Sequence, residues 1–185
     1  NTLFRDNPER ALVSFYGMLA QGMTRNTFVG GEGASLYPVD VNGRFFYCPP
    51  NSAANAHFLS MLRNILVQDW DMDDDGKPET LRLGFATSKR WLTKGRNIVV
   101  KNAPTAFGNV SYQIVPDLQA GTVKCHYEPP PRKPERCLLR IRVPDAWKIA
   151  SATALGQKLE VDESGTVDVS GFSEPADIHF NIARR

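Results

Sequence analysis

The side chains with the strongest claim to chemistry are acidic. Glu32 stands in the run Gly30-Gly31-Glu32-Gly33, where glycines allow positive φ and close approach of the backbone to a ligand. A carboxylate presented this way can act as an acid, a base or an acceptor for hydroxyl groups. The plainer use is a loop glutamate that caps the next element or pairs with Arg25 or Arg44. A second acidic stretch, Asp71-Met72-Asp73-Asp74-Asp75-Gly76-Lys77-Pro78-Glu79, contains the pattern D-x-D-x-D-G. Alternate carboxylates turn inward on a tight loop, and Ca²⁺ takes roughly six to eight oxygens. Asp71, Asp73, Asp75 and Glu79 would supply them, with the Lys77 carbonyl. Arg82 stands where an EF-hand has its bidentate glutamate, which excludes a complete EF-hand. Either a partial calcium loop or an acidic linker remains.

Other chemistries lack their residues. His57, His126 and His179 are scattered, with no H-x-x-x-H and no Cys/His cluster, so zinc is not expected. No G-x-S-x-G supports a serine nucleophile, and no glycine-rich run has phosphate-binding spacing. Three cysteines, Cys48, Cys125 and Cys137, make neither a disulfide scaffold nor a C-x-x-C pair. A net charge of +2 over 185 residues, without basic clusters, argues against nucleic acid as a partner. No apolar run approaches a membrane span. With 42% apolar and 23% charged residues the chain can bury an ordinary core. It opens on Asn1 without initiator Met or leader, and is read as a mature, trimmed or partial chain.

The elements that must position these residues change period near residue 80. Asn7 can cap a helix beginning at Pro8; Leu12, Phe15, Tyr16 and Leu19 then share one face, and Gly22 ends it. A second helix is expected from Ser52 as N-cap to about Gln68. Its apolar set, Ala54, Phe58, Leu59, Met61, Leu62, Ile65 and Leu66, covers more than half the circumference, which predicts burial on two sides. From Thr80 onward apolar residues alternate: Leu81/Leu83/Phe85, Val110/Tyr112/Ile114, Val123/Cys125/Tyr127, Leu139/Ile141/Val143, Leu159/Val161, Val167/Val169 and Ile178/Phe180/Ile182. Short alternating runs separated by Gly, Pro and Asp predict an antiparallel sandwich of about eight strands in two sheets. The expected organisation is a helix pair over 1–69, an acidic linker over 70–79 and a sandwich over 80–185. The proline-rich stretch Glu128–Glu135 is read as a stiff hairpin loop between His126 and Leu138. Cys125 and Cys137 flank it with inward parity, either as a bridge or as two buried thiols in adjacent strands. Trp70, Trp91 and Trp147 lie at element boundaries, where indoles usually seal a core.

Several stretches together resemble the C-terminal end of large bacterial proteins in which an (α/α)6 barrel is followed by a β-sandwich, the group of α-L-rhamnosidase-like and related glycoside hydrolases. They are Phe28–Gly33, Pro49–Ala54, Phe58–Gln68, Leu81–Leu92 and Asn102–Ser111, so the resemblance covers nearly the whole chain. It implies that the two helices are the last of a barrel whose remainder is the chain's chief partner, and that the protein is periplasmic, cell-surface or secreted. It offers Glu32 as one of the two carboxylates that glycoside hydrolysis needs. The same loop carries Arg25, Tyr37, Arg44 and Tyr47, suited to stacking on sugar rings and bonding hydroxyls, beside Phe45 and Phe46, whose expected place is the core. The resemblance therefore implies part of a glycoside hydrolase with an incomplete catalytic apparatus and a carbohydrate ligand.

Two other readings compete. A free-standing carbohydrate-binding module would show a row of exposed aromatics on one sheet face, whereas the outward strand positions are mainly Arg, Lys, Ser, Gln, His and Asn. A structural domain would satisfy the apolar second helix with another protein.

Overall fold

A computed structural model describes residues 2–24, 26–34, 46–93 and 95–185. The chain divides into two compact units, Asn1–Ile65 and Leu66–Arg185.

The first unit holds two helices and a small hairpin. Helix α1, Pro8–Gln21, begins as the sequence predicts: the Asn7 side chain accepts from the Arg10 N–H, and proline occupies the first turn. It buries Ala11, Leu12 and Phe15, while Tyr16, expected on the same face, is exposed. Strands β1, Gly33–Ala34, and β2, Phe46–Tyr47, form a two-stranded antiparallel pair. Helix α2 spans Ser52–Leu66. Its cap is Asn51 rather than Ser52, because the Asn51 Oδ1 accepts from the Ala54 N–H at 2.8 Å; Ser52 is the first helical residue. Phe58 of α2 stacks on Phe15 with ring centroids 5.0 Å apart, a geometry worth about 0.5–1.5 kcal/mol beyond the area it buries. Of the broad apolar stripe on α2, Ile65 is buried and Leu59 is exposed.

The second unit is mainly β. Helix α2 stops at Leu66, not near Gln68, and passes directly into strand β3, Val67–Trp70. The strands that follow are β4 Thr80–Leu83, β5 Ile98–Thr105, β6 Gly108–Asp117 and β7 Thr122–Glu128. Then come β8 Arg136–Arg140, β9 Trp147–Ala154, β10 Gln157–Leu159, β11 Thr166–Asp168 and β12 Ala176–Arg184. A six-stranded sheet runs β10-β9-β12-β7-β6-β5, and a four-stranded sheet runs β11-β8-β4-β3. The six-stranded sheet is antiparallel throughout. The other is mixed, because β4 and β8 pair in parallel. The two sheets thus have ten strands where about eight were expected, and one pairing is not antiparallel.

The alternating residues read from the sequence form the core. Leu81, Leu83, Val110, Ile114, Val123, Leu139, Ile178 and Phe180 are each at most 1% exposed. Burial of each such side chain contributes about 1.5–3 kcal/mol to this unit. Trp91 and Trp147 pack against this cluster, as their boundary positions suggested.

The proline-rich segment is not a hairpin loop. It leaves β7 in one sheet and enters β8 in the other, so it crosses the end of the sandwich. Arg132 anchors it, its N–H donating to the Phe107 carbonyl at 3.0 Å and its guanidinium to the Ala106 carbonyl at 2.5 Å. Consequently Cys125 and Cys137 do not lie on adjacent strands. Both are buried free thiols, and Cys137 Sγ meets the Tyr127 hydroxyl at 3.2 Å. Burial pushes the Cys137 thiol up to about 12, although the Tyr127 hydrogen bond partly opposes the rise.

Candidate functional site

The loop carrying Glu32 is built by hydrogen bonds from both sides. The Gly30 N–H donates to Asn55 Oδ1 at 2.8 Å, the Asn51 N–H to the Gly30 carbonyl at 2.8 Å, and the Gly31 N–H to the Gly22 carbonyl at 3.2 Å. A Cβ on Gly30 would stand 2.6 Å from Asn55 Oδ1 and 3.0 Å from Ala54 Cβ, so a larger residue would push the Asn55 side chain off its bond to the Gly30 N–H. Its small size thus serves an internal contact with α2, and neither Gly30 nor Gly33 takes the positive φ anticipated for this run. Gly30 and Gly31 are buried while Glu32 is exposed, so the pair presses the loop inward and turns the carboxylate out. Of the residues expected beside it, Arg25, Tyr37 and Arg44 lie outside the described residues. Tyr47 is placed by its strand backbone, paired with Gly33 one residue beyond Glu32.

The acidic loop sits between β3 and β4, which pair antiparallel from Val67↔Leu83 to Trp70↔Thr80. It is therefore the connection of a β-hairpin rather than a free linker. Asp71 organises it: Oδ2 accepts from the Gly76 N–H at 2.7 Å and Oδ1 from the Asp75 N–H at 3.2 Å. Gly76 takes φ +85, as the sharp turn requires. Glu79 reaches back across the hairpin, both oxygens accepting from the Met72 N–H at 2.9 and 3.1 Å. As a result one carboxylate oxygen from each of Asp71, Asp73 and Glu79 falls within 4.8 Å of the others. Asp75, the fourth expected ligand, is not in that group; its Oδ1 instead accepts from the Lys77 N–H at 2.8 Å.

Three converging carboxylates repel one another, and Asp73 shows the result. The Asp75 N–H bond favours its ionised form. Partial desolvation, the charges of Asp75 and Glu79, and a hydrogen bond with Asp71 outweigh that effect, so its carboxyl titrates above the usual 3.8. A divalent cation would relieve this repulsion. Ca²⁺–oxygen distances of roughly 2.3–2.6 Å put ligands on opposite sides of an ion about 5 Å apart, so the observed grouping fits such an ion.

The outer face of the six-stranded sheet is polar. Register places Gln113, His126 and Asp177 in one row across β6, β7 and β12, with Val115, Lys124 and His179 in the next. His126 Nδ1 lies 2.7 Å from Asp177 Oδ1, and its Nε2 is 3.6 Å from Glu128 Oε1. The sequence placed both histidines on polar strand faces, but His126 and Asp177 are joined only by register between β7 and β12. Among the described residues of this unit the exposed large hydrophobics are Met72, Val99, Val115 and Leu155. No aromatic row of the kind that holds sugars is among them. No helix of the described residues is long and apolar enough to cross a membrane.

No family model matches the chain, and no curated protein matches it. A solved structure described as "Glycoside hydrolase" is similar at 14% identity with a TM-score of 0.37. The match covers 85% of this chain and 24% of that one, so the chain spans about a quarter of its length.

Proposed function

We propose that this chain is the C-terminal portion of a glycoside-hydrolase-like, carbohydrate-active bacterial enzyme that works in the periplasm, at the cell surface or outside the cell. In this reading α1 and α2 are the last helices of an (α/α)6 barrel, the sandwich stabilises that barrel, and the Glu32 loop contributes to the sugar cleft. The observation that carries it is the surface of the first unit. Phe4, Val13, Tyr16, Phe28 and Leu59 are exposed there among the described residues, and large apolar side chains left in water by so small a unit are what a covering partner would bury. The remaining barrel helices are that partner. In the same unit a hydrogen-bonded loop turns Glu32 outward.

Glu32 serves as one carboxylate of the catalytic pair, and the rest of the polypeptide brings the second. Arg25, Tyr37, Arg44 and Tyr47 bind the sugar. In the second unit Asp71, Asp73 and Glu79 hold a Ca²⁺, with Asp75 and the Lys77 carbonyl completing the loop, which stiffens the hairpin that opens the sandwich.

The test uses the intact natural polypeptide on a panel of aryl glycosides. Glu32→Gln lowers turnover at least about a hundredfold, the usual contribution of one acid–base group, with the melting temperature unchanged. Undiminished turnover removes Glu32 from the site. Failure of the wild-type polypeptide to cleave any glycoside overturns the enzymatic reading.

A further inference from the structure

His126 and Glu128 are one residue apart on β7, where inward and outward positions alternate, so both project from the outer face of the six-stranded sheet. Strand β7 lies inside that sheet between β6 and β12, which fixes the backbone beneath them. Register sets Asp177 of β12 opposite His126 and Ser111 of β6 opposite Glu128. His126 Nδ1 stands 2.7 Å from Asp177 Oδ1. An ionised carboxylate can only accept, so the proton of the neutral imidazole sits on Nδ1 and the lone pair is on Nε2. A histidine that ligates a metal through one ring nitrogen is usually held in this way, its other N–H donated to a carboxylate.

Nε2 faces Glu128, with Oε1 3.6 Å away. A hydrogen bond between the two would measure about 2.7–3.2 Å. Two ligands of one tetrahedral zinc ion, with Zn–N about 2.0–2.1 Å and Zn–O about 2.0–2.2 Å, stand about 3.4 Å apart. The observed gap is therefore too long for a direct bond and close to the span of a shared ion. Both side chains are about half exposed, at 48% and 51%, so an ion reaches them without movement of the backbone. Imidazole beside carboxylate suits a borderline dication such as Zn²⁺ better than Ca²⁺ or Mg²⁺, which take oxygen ligands alone.

We propose that His126 Nε2 and Glu128 Oε1 bind one Zn²⁺, and that Asp177 is a positioning residue that fixes the imidazole. Two protein ligands leave the remaining coordination positions to water or to an oxygen-bearing ligand. No local spacing announces this site, because Asp177 reaches His126 across 51 positions of the chain through strand pairing. It is separate from the acidic loop and does not depend on the enzymatic reading.

The experiment is calorimetric titration of the 185-residue chain with ZnCl₂ at neutral pH. Cys48, an exposed thiol, is replaced by serine, and millimolar Ca²⁺ is present to occupy the acidic loop. One Zn²⁺ binds. His126→Gln and Glu128→Gln each weaken it at least about tenfold and Asp177→Asn about 10–100-fold, while His179→Gln, one row away on the same face, leaves it unchanged. Long-range ¹H–¹⁵N spectra of the unsubstituted face read the ring directly: Zn²⁺ shifts Nε2 of His126, and Nδ1 keeps its proton. These spectra decide the matter even if a variant folds poorly. Absence of Zn²⁺ uptake, uptake that persists in His126→Gln, a shift at His179 in place of His126, or uptake abolished by Ca²⁺ overturns the assignment.

Discussion

Three glycines with the same backbone conformation but different surroundings separate strain from contact. Gly84, Gly156 and Gly165 have φ of +72, +76 and +81. Around Gly156, at the tip of the β9–β10 hairpin, a Cβ would meet nothing within 4 Å. At Gly84, just past β4, it would stand 2.6 Å from the Arg140 carbonyl oxygen, where β4 and β8 lie side by side in parallel. Gly84 is held there by its N–H bond to the Leu66 carbonyl at 2.8 Å, so it cannot easily swing away. Placing alanine in a left-handed conformation costs about 1–2 kcal/mol. Forcing an atom against a fixed backbone carbonyl adds about 1–3 kcal/mol. The entropy that glycine loses from the unfolded chain is the same at both sites and cancels in the comparison. For a unit of about 120 residues, with an unfolding entropy near 2.1 cal/mol/K per residue, each kcal/mol is worth roughly 4 °C. Gly156→Ala should therefore lower the melting temperature by about 4–8 °C and Gly84→Ala by about 8–20 °C, read by circular dichroism on the same preparation. Gly165→Ala should follow Gly84→Ala, because it too meets a carbonyl oxygen at 2.7 Å. If Gly84→Ala and Gly156→Ala melt within about 2 °C of each other, well under the effect of one kcal/mol, the close approach of β4 to β8 is refuted.

Other expectations can be checked as directly. Leu155 occupies a left-handed turn position at φ +50 and is 75% exposed. Leu155→Asn, which builds the favoured Asn-Gly turn, should raise the melting temperature by about 2–4 °C, corresponding to roughly 0.5–1 kcal/mol. A thiol-specific chromogenic reagent at pH 8 should titrate one cysteine in the folded chain, Cys48, which is exposed. The buried thiols stay silent because one pushed to about 12, as Cys137 is, holds almost no thiolate at that pH, and all three should titrate after denaturation removes that burial. Two or more fast native thiols would contradict the burial of Cys125 and Cys137.

Asp73 makes a pH prediction of fixed sign. Its folded carboxyl binds the proton more tightly than an unfolded one, so this group destabilises the fold at neutral pH. That burden is relieved as pH falls through the raised value and is gone below 3.8. Asp73→Asn should raise the melting temperature at pH 7 without Ca²⁺ and should abolish the increase that millimolar Ca²⁺ produces in the wild type. No Ca²⁺-dependent shift in the wild type would dismiss the ion.

The sequence alone determined the period of the chain: helical spacing up to about Gln68, alternation from Thr80, and with it the inward residues of β4, β6, β7, β8, β11 and β12. Alternation is legible because a strand has one wet face and one dry face, so each residue declares its side. Three strands escaped this reading for physical reasons. In β3 the run Ile65-Leu66-Val67 continues an apolar helix without punctuation. In β5 the register shifts between Val100 and Ala103 and breaks the alternation. In β9 the inward residues Ala152 and Ala154 offer little apolar contrast.

Only tertiary structure decided which strands pair, and with them the sites. Because the proline-rich segment changes sheets, Cys137 meets Tyr127 and not Cys125. Because β3 and β4 form a hairpin, Glu79 turns back on Asp71 and Asp73 while Asp75 is left to its own turn. Lys89, Arg142, Lys148 and Arg185 are spread over 97 positions of the chain and line one cleft of the second unit only because strands of both sheets border it. Local sequence encodes which face a residue takes, since that depends on its neighbours along the strand. Partners across sheets are chosen by packing among residues far apart, which no local spacing records.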